Sequence, residues 1–185
     1  MATVLLILDV QNGVINRLEN TAPYLDRLAS TVNKARKANI QVIHVVTAFR
    51  PGYPENNPNN SSVPAVVARG EYLEGDDSVQ VHPLIAPINN EVTLTKCRVS
   101  AFFSTELDML LRCAKAETIV VAGLITSGAV LSTVRQAMDL DYRTTILEDC
   151  CMDRDEEVHR VLMEKVFARK AEIVSGEEWA NGLAK

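Results

Sequence analysis

The sequence predicts an α/β fold in three layers, a mostly parallel sheet with helices on both faces. Three observations carry this expectation. Short runs rich in Val, Ile and Leu lack polar alternation, as strands buried on both faces do. Stretches with apolar residues at three- and four-residue steps stand between them, as in amphipathic helices. From residue 92 onward the two kinds alternate, which is the order of repeated βα units.

Val4 to Val10 is the first apolar run and predicts a buried strand. From Ala22 to Ala38, residues Leu25, Leu28, Ala29, Val32 and Ala35 recur at helical spacing while Arg and Lys take the other face. A second buried strand, Ile40 to Thr47, follows directly. Residues 49 to 90 hold six of the seven prolines (Pro51, Pro54, Pro58, Pro64, Pro83 and Pro87) with Asn-rich and acidic stretches, so interrupted structure is expected throughout. A stretch this long in a compact domain is usually functional or mobile. Strands Val92 to Thr95, Thr118 to Ala122 and Thr144 to Leu147 then alternate with helices Thr105 to Ala114, Ala129 to Leu140 and Glu156 to Val166. Ile173 and Val174 supply a last short strand, and Glu177 to Leu183 a last turn or two of helix. With 185 residues, 47% of them hydrophobic, and no internal repeat, one domain over 1–185 is expected.

Charge and cysteine content narrow the classes of function. Nineteen Lys and Arg stand against 24 Asp and Glu, a formal net of -5, with no basic stripe to track a phosphate backbone, so nucleic acid is not an expected partner. The run Val4 to Leu8 stops at Asp9, too short for a signal peptide or a membrane span. The expected location is cytoplasmic, with no membrane partner. Cys97, Cys113, Cys150 and Cys151 show no CxxC or Cys/His spacing and are expected to be buried free thiols.

Ligands of open parallel sheets bind beyond the carboxyl ends of the strands, so polar residues there are the first candidates. Asp9 closes the first strand, Lys96 follows the strand Val92 to Thr95, and Gly123 to Thr126 follows the strand ending at Ala122. A carboxylate among apolar neighbours, as in Leu8-Asp9-Val10, must pair with a cation, accept backbone N–H bonds or hold a proton. A turn or cap fits its position equally well. Lys96 reads either as a snorkelling surface residue or, with a partner carboxylate, as half of an acid/base pair. Gly123 to Thr133 is a strand-to-helix elbow of small residues, with Thr126 or Ser127 as N-cap candidates and backbone N–H groups suited to an oxyanion. The plainer alternative is a capped helix in which Gly128 serves packing. It is not a phosphate loop, because GxxxxGK[ST] and GxGxxG are both missing.

Taken together, Leu5 to Asn12, Thr95 to Phe103, Gly123 to Thr126 with Ser132 and Thr133, then Asp149 and His159 resemble the isochorismatase-like hydrolases. This is a cysteine hydrolase superfamily that includes nicotinamidase and N-carbamoylsarcosine amidase. Each segment is short, and the order and spacing carry the likeness: 87 residues separate Asp9 from Lys96, and 33 separate Lys96 from Ala129. The resemblance implies a Rossmann-like fold with a six-stranded parallel sheet, a small-molecule substrate, and a homodimer or homotetramer. It also implies that Asp9 and Lys96 match two members of the amidases' Asp, Lys and Cys group. The position of the nucleophile falls at Ala129, whose methyl forms no covalent intermediate.

Three readings of Ala129 follow: a branch of the family that works without a covalent intermediate, an engineered inactivation, or a pseudo-enzyme. The first is favoured, because Ser127 to Thr133 departs from the amidase pattern at more than one position. Isochorismatases hydrolyse a vinyl ether without a cysteine, the family Asp protonating the substrate before water attacks. By resemblance Asp9 is then the general acid, with Lys96 orienting it or holding an anionic group, in an enol-ether type hydrolysis of a small anionic metabolite. A lyase or dehydratase in the same pocket remains an alternative, as does a non-catalytic protein. The family oxyanion hole would fall at a cis bond between Leu124 and Ile125, with the N–H groups of Ile125 and Ala129 as donors. Gln11, Arg50, Tyr53, Phe103, Ile125, Thr126 and Thr133 are the expected substrate-binding positions, and Phe102 is a second candidate wall. Nicotinamidases carry a metal site of one Asp and two His after the second strand. Thr47 to Pro54 has neither residue type, so no metal and no cofactor are expected. A displaced nucleophile at Cys150 or Cys151 needs a base or cation beside it, and only Asp149 is adjacent. His159 is read as holding that loop by hydrogen bonds. Cys97 is expected on the face opposite Lys96 if the strand continues.

Overall fold

The first strand, β1 (Ala2–Leu8), is apolar on both faces, and the fold is built outward from it. In the computed structural model, which describes residues 2–89 and 91–183, all strand pairings are parallel, in the order β3-β2-β1-β4-β5-β6. The other strands are β2 (Gln41–Thr47), β3 (Val92–Lys96), β4 (Ala116–Leu124), β5 (Arg143–Met152) and β6 (Glu172–Val174). Asn90, the last residue of the expected irregular stretch, and the ends of the expected 1–185 domain lie outside the described residues.

Alternate residues of β1 feed two cores. Val4, Leu6 and Leu8 join Leu107 and Leu111 of α4 (Leu107–Cys113), Val134 and Ala137 of α5 (Leu131–Asp139), and Phe167. On the opposite face Leu5 and Ile7 join Leu25, Leu28 and Val32 of α2 (Thr21–Lys37), with Trp179 of α7 (Gly176–Gly182) at the margin. This is the expected three-layer α/β architecture. Burying apolar area on both faces at about 25 cal/mol per Å² supplies its main driving force. Among the described residues no helix is long and apolar enough to cross a membrane.

Several expected boundaries move, each for a local reason. Strand β1 ends at Leu8 rather than Val10, because Asp9 has φ 53°, the left-handed region that ends a strand. The 49–90 stretch is not irregular throughout: α3 (Val63–Arg69) has Pro64 in its first turn, where no N–H is needed, and stops at Gly70 with φ 64°. A short α1 (Asn12–Ile15) is also present. Strand β5 runs past Leu147 through a bulge: Val121 faces Ile146, but Gly123 faces Cys151. Cys150 and Cys151 therefore lie inside β5, both buried, rather than after it. Of the four free thiols, Cys97 is half-buried and Cys113 exposed, so burial holds for two of them. After α6 (Glu156–Val161) the chain continues in the wider turn Leu162–Val166.

The candidate active site

Three chain segments meet at the carboxyl ends of β1, β2, β3 and β4. The Asp9 amide still extends the ladder, donating to Val45 O at 2.8 Å, while its left-handed backbone marks the strand end. Lys96, the last residue of β3, places Nζ 2.8 Å from Asp9 Oδ2. Thr47, the last residue of β2, joins the two: Lys96 Nζ donates to Thr47 Oγ1 at 2.7 Å, and that hydroxyl donates to Asp9 Oδ1 at 3.1 Å. Lys96 Nζ also donates to Arg98 O at 3.1 Å. Asp9 is 8% exposed and Lys96 3%, so the ion pair is buried and every charge-bearing atom named here has a partner.

Gln11 holds this arrangement from behind. Its Nε2 donates to Thr47 O and Ser78 O, both at 3.0 Å, and its Oε1 accepts from the Thr47 amide at 2.7 Å. It is fully buried, with its amide committed to backbone, and it stands behind Thr47 instead of on the pocket wall.

The pair opens on a cavity of about 220 Å³. Leu124, Ile125, Gly128 and Ala129 form the elbow wall, and Val14, Phe49, Val63, Val66 and Tyr72 form the apolar one. The peptide bond Leu124-Ile125 is cis, at the position the family resemblance indicates. Residues 126–130 make a turn wider than an α-helix, with the Val130 amide donating to Ile125 O at 3.3 Å. The residue flanking this turn is Ile125, and neither Thr126 nor Ser127 caps it through a side chain. Instead Thr126 Oγ1 is 2.9 Å from His159 Nδ1, and the Ser127 amide donates to Asp153 Oδ2 at 2.7 Å. His159 thus holds the elbow, rather than the segment of Cys150 and Cys151 that the sequence reading assigns to it.

Asp9, Lys96, Ile125 and Ala129 come together in this cavity, and the other expected binding positions do not line it. Arg50 points out, its side chain 64% exposed and its Nε on Glu55 Oε1 at 2.5 Å. Tyr53, with φ 51°, turns its hydroxyl to Glu71 O at 2.9 Å. Phe103 is 54% exposed, while Phe102 stacks on Tyr142 in the core. Thr126 and Thr133 are fully buried, and Thr133 Oγ1 accepts from the Ala101 amide at 3.0 Å. These are braces for the loops around the cavity.

Cys97 corrects an expectation in the other direction. It lines the cavity beside Lys96, because the chain leaves the strand after Lys96 and the alternation of faces no longer holds. Its Sγ donates to Ala48 O at 3.2 Å, and burial, then the Glu55 carboxylate, push its thiol above the ordinary value. Burial pushes Cys150 up to about 12 and Cys151 higher still, which leaves neither as a ready thiolate. The cavity also has two arginines that the sequence reading missed, Arg98 and Arg154. Arg98 donates to Cys97 O at 2.7 Å and to Glu55 O at 3.0 Å. Both follow the carboxyl end of a strand, the signal that found Lys96. Among the described lining residues, Lys96, Arg98 and Arg154 stand against the single carboxylate Asp9.

A buried carboxylate and ammonium beneath a strand-to-helix elbow thus stand at the carboxyl edge of a parallel α/β sheet, the place where ligands of such sheets bind. The chain belongs to the isochorismatase family: the model of the isochorismatase domain matches residues 3–178. The isochorismatase family protein YwoC of Bacillus subtilis (strain 168) is 29% identical over 177 residues, covering 96% of this chain and 92% of that protein. Maleamate amidohydrolase of Pseudomonas putida is 26% identical over 154 residues, covering 83% and 71%. A cysteine hydrolase from Pseudomonas syringae pv. phaseolicola 1448A has the same fold, with a TM-score of 0.91 at 21% identity over 98% of this chain and 92% of that one.

Proposed function

We propose that this protein hydrolyses a small anionic metabolite by acid/base chemistry at Asp9 and Lys96, with water rather than a side chain as the nucleophile. The observation that carries the reading is the buried Asp9–Lys96–Thr47 network opening on a cavity whose position 129 offers only a methyl group. An Asp–Lys pair held out of solvent serves proton transfer, whereas a side chain without a nucleophilic atom cannot form an acyl or thioester intermediate. The excess of cationic groups around the cavity favours a substrate carboxylate.

In the enol-ether form of the reaction, Asp9 donates a proton to the vinyl carbon, water adds to the resulting oxocarbenium ion, and Asp9 takes a proton from that water. The hemiketal then collapses to a carbonyl and an alcohol. Similarity to maleamate amidohydrolase favours a second reading, amide hydrolysis, in which Asp9 activates water and the Ile125 and Ala129 N–H groups receive the oxyanion.

Turnover of a panel of carboxylate-bearing enol ethers, isochorismate included, and of small amides separates the two. The expected outcome is product from one class and a loss of about 10²–10⁴-fold in kcat for Asp9→Asn. Undiminished turnover by Asp9→Asn excludes both. Ala129→Cys gains amide hydrolysis only if the site is an amidase that lacks its nucleophile.

A further inference from the structure

Thr47 and Lys96 face each other in the ladder between β2 and β3, so their side chains lie side by side on one face of the sheet. An ammonium has three N–H donors and no acceptor. All three are engaged here, with Asp9 Oδ2 at 2.8 Å, Thr47 Oγ1 at 2.7 Å and Arg98 O at 3.1 Å, so none is left to hold a substrate anion. The Thr47 hydroxyl accepts from Lys96, and its single hydrogen therefore goes to Asp9 Oδ1, an oxygen that only accepts while the carboxyl is ionised. Among the described residues each Asp9 carboxyl oxygen thus has one side-chain donor, and the two donors come from different strands.

Thr47 is itself fixed. Gln11, fully buried, accepts from its amide at 2.7 Å and donates to its carbonyl at 3.0 Å, and the same side chain is tied to Ser78 O. The last torsion of an aspartate is soft, so a carboxyl held at one oxygen turns about Cβ–Cγ, whereas one held at both oxygens keeps its plane. We infer that Thr47 is a positioning residue for Asp9: its hydroxyl, fixed from behind by Gln11, sets the plane of the carboxyl that exchanges protons at the reacting bond, while Lys96 holds the other oxygen and leaves the substrate to other groups. The inference rests on the proposed proton transfer at Asp9 and assigns what aims it. Misplacing a reacting group by about 1 Å costs on the order of 10²-fold in rate.

Thr47→Val removes the hydroxyl and keeps the branched shape, and Thr47→Ser keeps the hydroxyl. Crystal structures of both variants and of the unmodified chain test the inference without a substrate. The Asp9 carboxyl is expected to turn about Cβ–Cγ in Thr47→Val and to keep its plane in Thr47→Ser; an unchanged plane in Thr47→Val overturns the inference. With the member of the enol-ether and amide panel that is turned over, Thr47→Val is expected to lower kcat by about 10–100-fold at unchanged KM, and Thr47→Ser to keep most of the turnover. Full kcat in Thr47→Val, a raised KM alone, or an equal loss in Thr47→Ser overturns the inference and leaves proton transfer at Asp9 standing. Undiminished turnover by Asp9→Asn instead removes the reading on which it rests. Thr47→Ala takes the place of Thr47→Val if that variant does not fold.

Discussion

Lys96 and Asp9 are stabilised mainly by each other, because taking either charge out of water is costly unless the partner and its hydrogen bonds come too. Lys96→Met is predicted to destabilise the protein by about 3–5 kcal/mol, since it leaves a buried carboxylate with only the Thr47 hydroxyl. Urea denaturation measures this, and a change below about 1 kcal/mol would show that the pair is not a buried ion pair in solution. Both residues were legible in the sequence for one physical reason: a charge at the end of an apolar strand has to be explained by a partner. That Arg50, Tyr53 and Phe103 do not line the cavity is not legible in the sequence, because they sit on loops, where direction depends on positive-φ residues such as Tyr53 that composition does not reveal. In the sequence Thr47 is an ordinary strand end, since nothing in a threonine announces that its hydroxyl will bridge two charges.

The element that shapes the cavity is β4 with its elbow, and Gly123 is where it comes closest to β1. Its φ is 133°, and a Cβ built there would lie 2.2 Å from Leu8 O, a backbone atom that has no rotamer to escape into. Gly123→Ala is therefore predicted to cost about 3 kcal/mol or more, read as a fall in the urea midpoint, and to displace Asp9 and the elbow together. A variant of unchanged stability would contradict the close approach. The six strands were legible from unalternating apolar runs, and the elbow from its run of small residues. The bulge in β5 was hidden because Glu148 and Asp149 look like a strand end, although Cys150 and Cys151 continue the strand beyond them. Helix α3 was hidden by proline and asparagine neighbours, its Val63 and Val66 being too few to set a period.

Across the whole molecule, one buried and one half-buried imidazole link stability to pH. His44, 1% exposed, lies in β2 with Nε2 3.2 Å from Glu91 Oε2, and Arg36 clasps the same carboxylate through two contacts of 2.8 Å. Burial lowers the pKa of both His44 and His159. Their stabilising contribution is thus fully present above the unfolded value near pH 6.5 and is lost as pH falls through the native values, because the unfolded chain takes up protons first. The slope approaches about 1.4 kcal/mol per pH unit for each imidazole. Urea midpoints that fall between about pH 7.5 and about pH 5.5 are expected, and a flat profile would contradict the lowered values of the two rings. Intact-protein mass spectrometry on samples quenched while product accumulates shows whether the enzyme passes through a covalent intermediate. Hydrolysis through Asp9 without a covalent intermediate predicts the unmodified mass of the chain at every time point. A transient increase by the mass of a substrate fragment, above all one mapping to Cys97, would contradict it.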